Sequence, residues 1–187
     1  VVDGKELIET TNKENGDIEF SLNGKDYVLE YSLDENRDAR YGERIDGWKL
    51  DGKLIRFIQS QHWVANGYED EKTGEWFEDR IDEYNAFTIV DGYIILINDY
   101  SIGENSVTIE PKDYGVDKWE QTRVFAIPIN VHNMAIIHDI QSNEPSTDWN
   151  ISLIDPQDRK FVDDYVAKHS EEIAKCGTIL PNQIWDD

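Results

Sequence analysis

Ala86-Phe-Thr-Ile-Val90, then Asp91-Gly92, then Tyr93-Ile-Ile-Leu-Ile97 read as two strands joined by a two-residue turn. Asp-Gly suits a type I′ turn, in which both central residues need positive φ. The second strand carries the more telling pattern. Five apolar residues in a row show no polar alternation, which is the mark of a strand covered on both faces. The run therefore predicts a strand placed centrally in its sheet.

Working outward, Asn23-Gly24 separates two alternating segments, 17–22 and 26–31, and Asp51-Gly52 separates 48–50 from 54–58. With Asp91-Gly92 these make three expected hairpins. Further strands are expected at 106–110, 123–130, 133–140 and 150–154. Pro128 lacks the N–H a ladder needs, so its strand is expected at an edge or with a bulge. One helix is well signalled at 156–175: Asp155 suits the N-cap, Pro156 the first helical position, Asp158 the positive end of the dipole, and Gly177 a stop. Phe161, Val162, Tyr165, Val166, His169 and Ile173 recur on one helical face, which predicts docking against the sheet. The fold class expected is α+β, a mostly antiparallel sheet built from hairpins with this C-terminal helix packed on it. A β-sandwich with one appended helix is the alternative. One domain over 1–187 is expected from the length, with the residues after Gly177 as a tail.

The chain of 187 residues has 40 Asp and Glu against 18 Lys and Arg, a net charge of −22. Six Trp, nine Tyr and six Phe supply enough large apolar surface to oppose the disorder such acidity can bring. Direct binding to nucleic-acid phosphates or to an anionic membrane face needs a basic surface and is excluded by this balance. No apolar stretch approaches the roughly 20 residues of a membrane-spanning helix. Cys176 is the one cysteine, which leaves no internal disulfide or thiolate zinc cluster and favours a cytoplasmic, reducing setting. The first residue is Val1 and the one methionine is Met134, so a trimmed or processed start, and with it an extracellular setting, stays open.

The acidic excess concentrates at 69–83, where Glu69, Asp70, Glu71, Glu75, Glu78, Asp79, Asp82 and Glu83 face only Lys72 and Arg80. As a helix, 75–84 would align Glu75, Glu78, Asp79, Asp82 and Glu83 on one ridge, with Trp76, Phe77, Ile81 and Tyr84 opposite. Such a ridge would imitate a row of phosphates. The competing local reading is a hairpin loop at 71–75 with Gly74 in the left-handed conformation, joining strands near Tyr68 and Phe77. Alternation would then scatter the carboxylates over both faces.

Other constellations are weaker. Asp34, Asn36 and Asp38 match the first ligand positions of a calcium loop, but Ala39 and Ile45 stand where that loop wants Gly and Glu. His132 and His138 lie about 20 Å apart on one regular strand and cannot share a metal there. No phosphate-cradling glycine loop and no nucleophile elbow occurs, and Cys176 at a helix C-terminus is read as inert. No cofactor is expected. Paired carboxylates with Trp48, Trp63, Trp76, Trp119, Trp149 and Trp185 leave a carbohydrate-binding or carbohydrate-hydrolysing β-rich domain as a rival class. An acidic surface domain of a larger protein is a third.

The leading expectation is a non-enzymatic interaction protein that blocks a basic site on a partner, as an immunity protein, a phage anti-defence inhibitor or a DNA mimic does. The partner would be a basic protein such as a nuclease or another nucleic-acid enzyme. Its expected contact residues are Glu69, Asp70, Glu71, Glu75, Trp76, Glu78, Asp79, Asp82 and Glu83.

Overall fold

A computed structural model describes residues 2–33, 35, 45–55, 57–102, 112, 118, 120–142 and 155–176, with the backbone alone for 58–66, 78–80 and 140–142. The strands are β1 (Glu6–Ile8), β2 (Thr10–Asn12), β3 (Ile18–Leu22), β4 (Lys25–Leu33), β5 (Asp46–Leu50), β6 (Lys53–Ile55), β7 (Phe57–Glu69), β8 (Trp76–Val90), β9 (Tyr93–Ile102) and β10 (Glu120–Pro128). The helices are α1 (Val131–Ser142), α2 (Pro156–Lys168) and α3 (Ser170–Ala174). The strands form two antiparallel five-stranded sheets, ordered β1-β10-β9-β8-β7 and β2-β3-β4-β5-β6.

The three two-residue turns are as the dipeptides predict. Asn23, Asp51 and Asp91 have φ of 53°, 51° and 44°, and the glycine after each is also positive. The Tyr93–Ile97 run lies in β9, the middle strand of the first sheet. Its alternate residues enter two separate cores. Ile95 and Ile97 pack with Val124, Ala126 and Ala86 against Ile18, Phe20, Tyr27, Leu29, Trp48 and Leu50 of the second sheet. Ile94 and Leu96 pack with Phe87, Phe125 and Ile127 against Met134, Ile136 and Ile137 of α1 and Val162 of α2. The α+β expectation holds, and its sandwich alternative describes part of the same molecule: two sheets face each other, and helices cover the outer side of one.

Residues 133–140, expected as a strand, belong to α1. Asn130 Oδ1 accepts from Asn133 N–H at 2.8 Å and the Asn130 carbonyl accepts from Met134 N–H, so an Asn N-cap opens this helix. Met134, Ala135, Ile136 and Ile137 are all buried. A helix buried on so much of its circumference shows no amphipathic period, and its β-branched pair imitates a strand. Pro128 sits in an internal strand, not an edge, but at its last position and beyond the end of β1, which pairs only with 124–126.

The C-terminal helix starts as expected. Asp155 Oδ1 accepts from Gln157 N–H at 2.8 Å and Pro156 follows. It is broken at His169 into α2 and α3, so the single 156–175 helix is corrected to two. Val162 is buried with Tyr165 and Val166 packed beside it, whereas Phe161, expected on the apolar face, is 44% exposed. Asp158 does more than face the dipole. It is buried, it pairs with Lys53 of β6, and its Oδ2 accepts from Thr88 Oγ1 at 3.1 Å and Ile89 N–H at 3.3 Å. The strands expected at 106–110 and 150–154, and Gly177, lie outside the described residues.

Candidate interaction site

The acidic segment forms the end of the β7–β8 hairpin. Ile102, the last residue of β9, pairs with Ile81, so 76–80 of β8 run past β9 and, among the described residues, pair only with β7. At about 3.3 Å per residue this part of β8 is roughly 17 Å long, before the turn is counted. Between Val64 and Gly67 the register shifts by a bulge, which strengthens the twist of the ribbon.

Its tip is organised by Asp70. The side-chain Oδ1 accepts from the N–H groups of Lys72 at 2.8 Å and Thr73 at 3.0 Å. The Asp70 carbonyl accepts from Gly74 N–H at 2.8 Å, and Asp70 N–H donates to the Glu75 carbonyl at 2.8 Å. Gly74 has φ of 70°, a conformation an L side chain rarely adopts. The two amides donated by Lys72 and then Thr73 hold the Asp70 carboxyl below its usual 3.8. Because the folded value is depressed, the turn's contribution is present above the unfolded carboxylate value and is lost as pH falls through the folded one. Acid titration below pH 3.8 is therefore expected to loosen the tip, read as faster exchange of the Lys72 and Thr73 amides. Asp70→Ala is expected to show that fast exchange already at neutral pH. Equal exchange in the two proteins would refute this role for Asp70.

The tip is exposed on both faces. Tyr68 is 49% and Trp76 57% exposed, and Gly67, Glu69, Glu71, Lys72 and Glu75 are exposed as well. Glu69 pairs with Trp76 across the ladder, so their side chains share one face. Tyr68 pairs with Phe77 on the other face, and the two rings stack at 5.4 Å. The Trp76 indole lies against Gly67: a Cβ there would fall 2.3 Å from Trp76 Cζ2. Glycine at 67 thus makes the seat of the ring.

The expected carboxylate ridge is overturned. The stretch 75–84 is not a helix but the end of the tip loop and the first part of β8, so the competing hairpin reading, with its left-handed Gly74, is the observed one. A helical ridge needs positions three and four apart on one side, whereas successive strand positions point to opposite faces. Glu69, Asp70, Glu71, Glu75 and Trp76 remain together at the tip. Glu78 and Asp79 occupy adjacent strand positions farther down the ribbon. Asp82 is half-buried, and Glu83, 5% exposed, is buried on the opposite face.

Glu83 belongs to an interior polar group that the sequence did not announce. Its Oε1 stands 3.8 Å from an Arg123 guanidinium nitrogen. The same guanidinium donates to Asn98 Oδ1 through Nε at 3.0 Å and Nη2 at 2.7 Å, and lies 4.8 Å from the Tyr100 ring centre. Asn98 Nδ2 in turn donates to Asn85 Oδ1 at 2.7 Å. Four polar side chains from three adjacent strands thereby meet, the partly buried guanidinium being held by Asn98 and facing the Glu83 carboxylate, while Asn85 Nδ2 is buried without a hydrogen-bond partner among the described residues. Sequence alone places Glu83 on the acidic ridge and singles out none of 85, 98 and 123; only the pairing of β8, β9 and β10 brings the four to one place.

Comparison with protein-family models, with curated proteins and with solved structures finds no match to this chain. The candidate site rests on geometry alone. The weak calcium residues Asp34, Asn36 and Asp38 lie outside the described residues, as do Trp119, Trp149 and Trp185. His132 and His138 are on helix α1, not on a strand, and His138 Nε2 stands 3.5 Å from Asp163 of α2. Among the described residues no three His, Cys, Asp or Glu side chains converge as a metal site. No helix of the described residues is long and apolar enough to cross a membrane.

Proposed function

We propose that this chain is an acidic, non-enzymatic interaction protein that binds and blocks a basic site on a partner protein, the nucleic-acid-binding cleft of a nuclease or another nucleic-acid enzyme being the site its charge best suits. The observation that carries the reading is the β7–β8 tip. Residues 69–75 hold four carboxylates against one lysine at the exposed end of the β7–β8 hairpin, beside two exposed aromatic rings. A fixed negative tip on a chain of net charge −22 draws a basic partner by long-range attraction, and the aromatic rings add short-range contact area.

The test is co-purification of a nucleic-acid enzyme from cleared lysate at about 0.1 M salt, with release near 0.5 M, where charge screening is nearly complete. Glu69→Lys, Glu71→Lys and Glu75→Lys together are expected to weaken that capture at least about tenfold, through slower association, while leaving the fold intact. Capture that is indifferent to salt and to the triple reversal would sink the reading. The exposed Trp76 ring favours one second reading, a carbohydrate-binding domain; a discrete glycan-array hit that persists in high salt and disappears in Trp76→Ala would establish it instead.

A further inference from the structure

We infer that α2 and α3 form a strap that opens as one unit while both sheets and α1 stay folded, and that its catch is the Asp158 carboxylate, seated among donors from Lys53, Thr88 and Ile89. The argument starts from how little the strap buries. Over twelve residues α1 buries Asn133, Met134, Ala135, Ile136 and Ile137. Over thirteen residues α2 buries only Asp158 and Val162, and over five α3 buries none. Tyr165 and Val166 are partly buried and Phe161 is exposed, so the apolar grip of the strap is one full side chain and two partial ones. A segment with so little buried apolar surface opens at a lower free energy than the core it covers.

The moorings of the strap are unequal. Its backbone lies chiefly against α1 rather than against the sheets. The pair between His138 Nε2 of α1 and Asp163 Oδ1 of α2, at 3.5 Å, joins two solvent-accessible side chains and contributes little. Asp158 is different. Its Oδ2 accepts from Thr88 Oγ1 and Ile89 N–H of β8 and pairs with Lys53 Nζ of β6. A hydroxyl, a backbone amide and an ammonium converging on one buried oxygen are the donor set a carboxylate calls for, and bonds to a charged acceptor are the strong ones. The donors sit on strands of both sheets, so the catch holds the strap to the part of the fold that stays closed. Opening uncovers β8 at Ile89, beyond the last residue that β7 pairs, together with the apolar seat of Val162. The strap thus decides when that edge and that surface meet solvent.

The test is native-state hydrogen exchange of the intact chain in rising, subdenaturing guanidinium. The amides of α2 and α3 are expected to exchange through one common opening, at least about a hundredfold more populated than the unfolding that releases the amides of α1 and β9. Asp158→Ala is expected to raise the α2 and α3 exchange rates at least about thirtyfold, and Asp158→Asn to fall between it and the parent. Sodium formate at about 0.1 M supplies a carboxylate to the site vacated in Asp158→Ala, where the covered donors hold it more tightly than exposed ones do. It is expected to slow α2 exchange in that variant about threefold relative to sodium chloride of equal ionic strength, and to leave the parent unchanged. Exchange of α2 and α3 only in step with α1 and β9 would overturn the strap. Fast exchange of α3 alone would overturn opening as one unit. Unchanged α2 exchange in both Asp158 variants, or equal rates of Asp158→Ala in formate and chloride, would overturn the carboxylate as the catch.

Discussion

Asp158→Ala is expected to destabilise the protein by about 3 kcal/mol, lowering the melting temperature by about 6–12 °C for a chain of this size. The first pair in the β7–β8 ladder is Phe57 with Ala86, so among the described residues the end of β8 runs past the start of β7 and has no strand partner on that edge. Asp158 closes that edge from α2, accepting from Ile89 N–H and Thr88 Oγ1 and pairing with Lys53 of the second sheet. Thr88 is 1% exposed, so water does not easily replace the lost acceptor. One carboxylate thereby ties the helical layer to both sheets. If Asp158 acted only on the helix dipole, its loss would cost about 0.3–1 kcal/mol and would fade in salt. Asp158→Asn keeps an acceptor for Ile89 and Thr88 but not the charge for Lys53, and is expected to fall between the parent and the alanine variant. Denaturant unfolding of the three proteins decides the matter; an alanine variant within 1 kcal/mol of the parent would remove the tie from the account.

Ile94→Ala and Ile95→Ala are each expected to cost about 2–4 kcal/mol, since both side chains are almost wholly buried in close-packed surroundings. Their consequences differ by layer. Ile94 belongs to the core beneath α1 and α2, so its truncation is expected to speed amide exchange first in those helices. Ile95 belongs to the core between the sheets, so its truncation is expected to speed exchange first in β3, β4 and β5. Exchange that accelerates in the same elements for both variants would contradict the assignment of adjacent residues to separate cores.

These two results address the parts of the fold that were most and least legible. The apolar run of β9 announced double coverage because no position in it tolerates water. The Asn-Gly and Asp-Gly turns announced themselves because few dipeptides accept two positive φ values in succession. Asp158 was legible only as a first-turn acid; its partners are 70 residues back in β8 and farther still in β6, and nothing local encodes them. The helix α1 was misread for the same reason that makes it stable. Its buried circumference erases the polar stripe that a helical period needs, and the Asn130 cap was the one local sign of it.

The acidic segment shows where local reading reached its limit. Carboxylates at three- and four-residue spacing suit a helical ridge as well as they suit alternate sides of a strand, because their side chains are indifferent to both. Tertiary pairing with β7 and β9 made the choice, sent Glu83 inward to Arg123 and left Glu69, Glu71, Glu75 and Trp76 at the tip.

By itself the amino-acid sequence determined the negative surface, the three hairpins, the doubly covered central strand and the capped start of the C-terminal helix. Each follows from the charge, dihedral preference or apolarity of residues adjacent in the chain. Only the tertiary structure decided that two sheets share the load with the helices, that one carboxylate bridges all three layers, and that the acidic run lies at the exposed end of a hairpin. Those outcomes depend on which distant strands find one another, and the free energy that selects them comes from burying whole faces together, a quantity no short stretch of sequence contains.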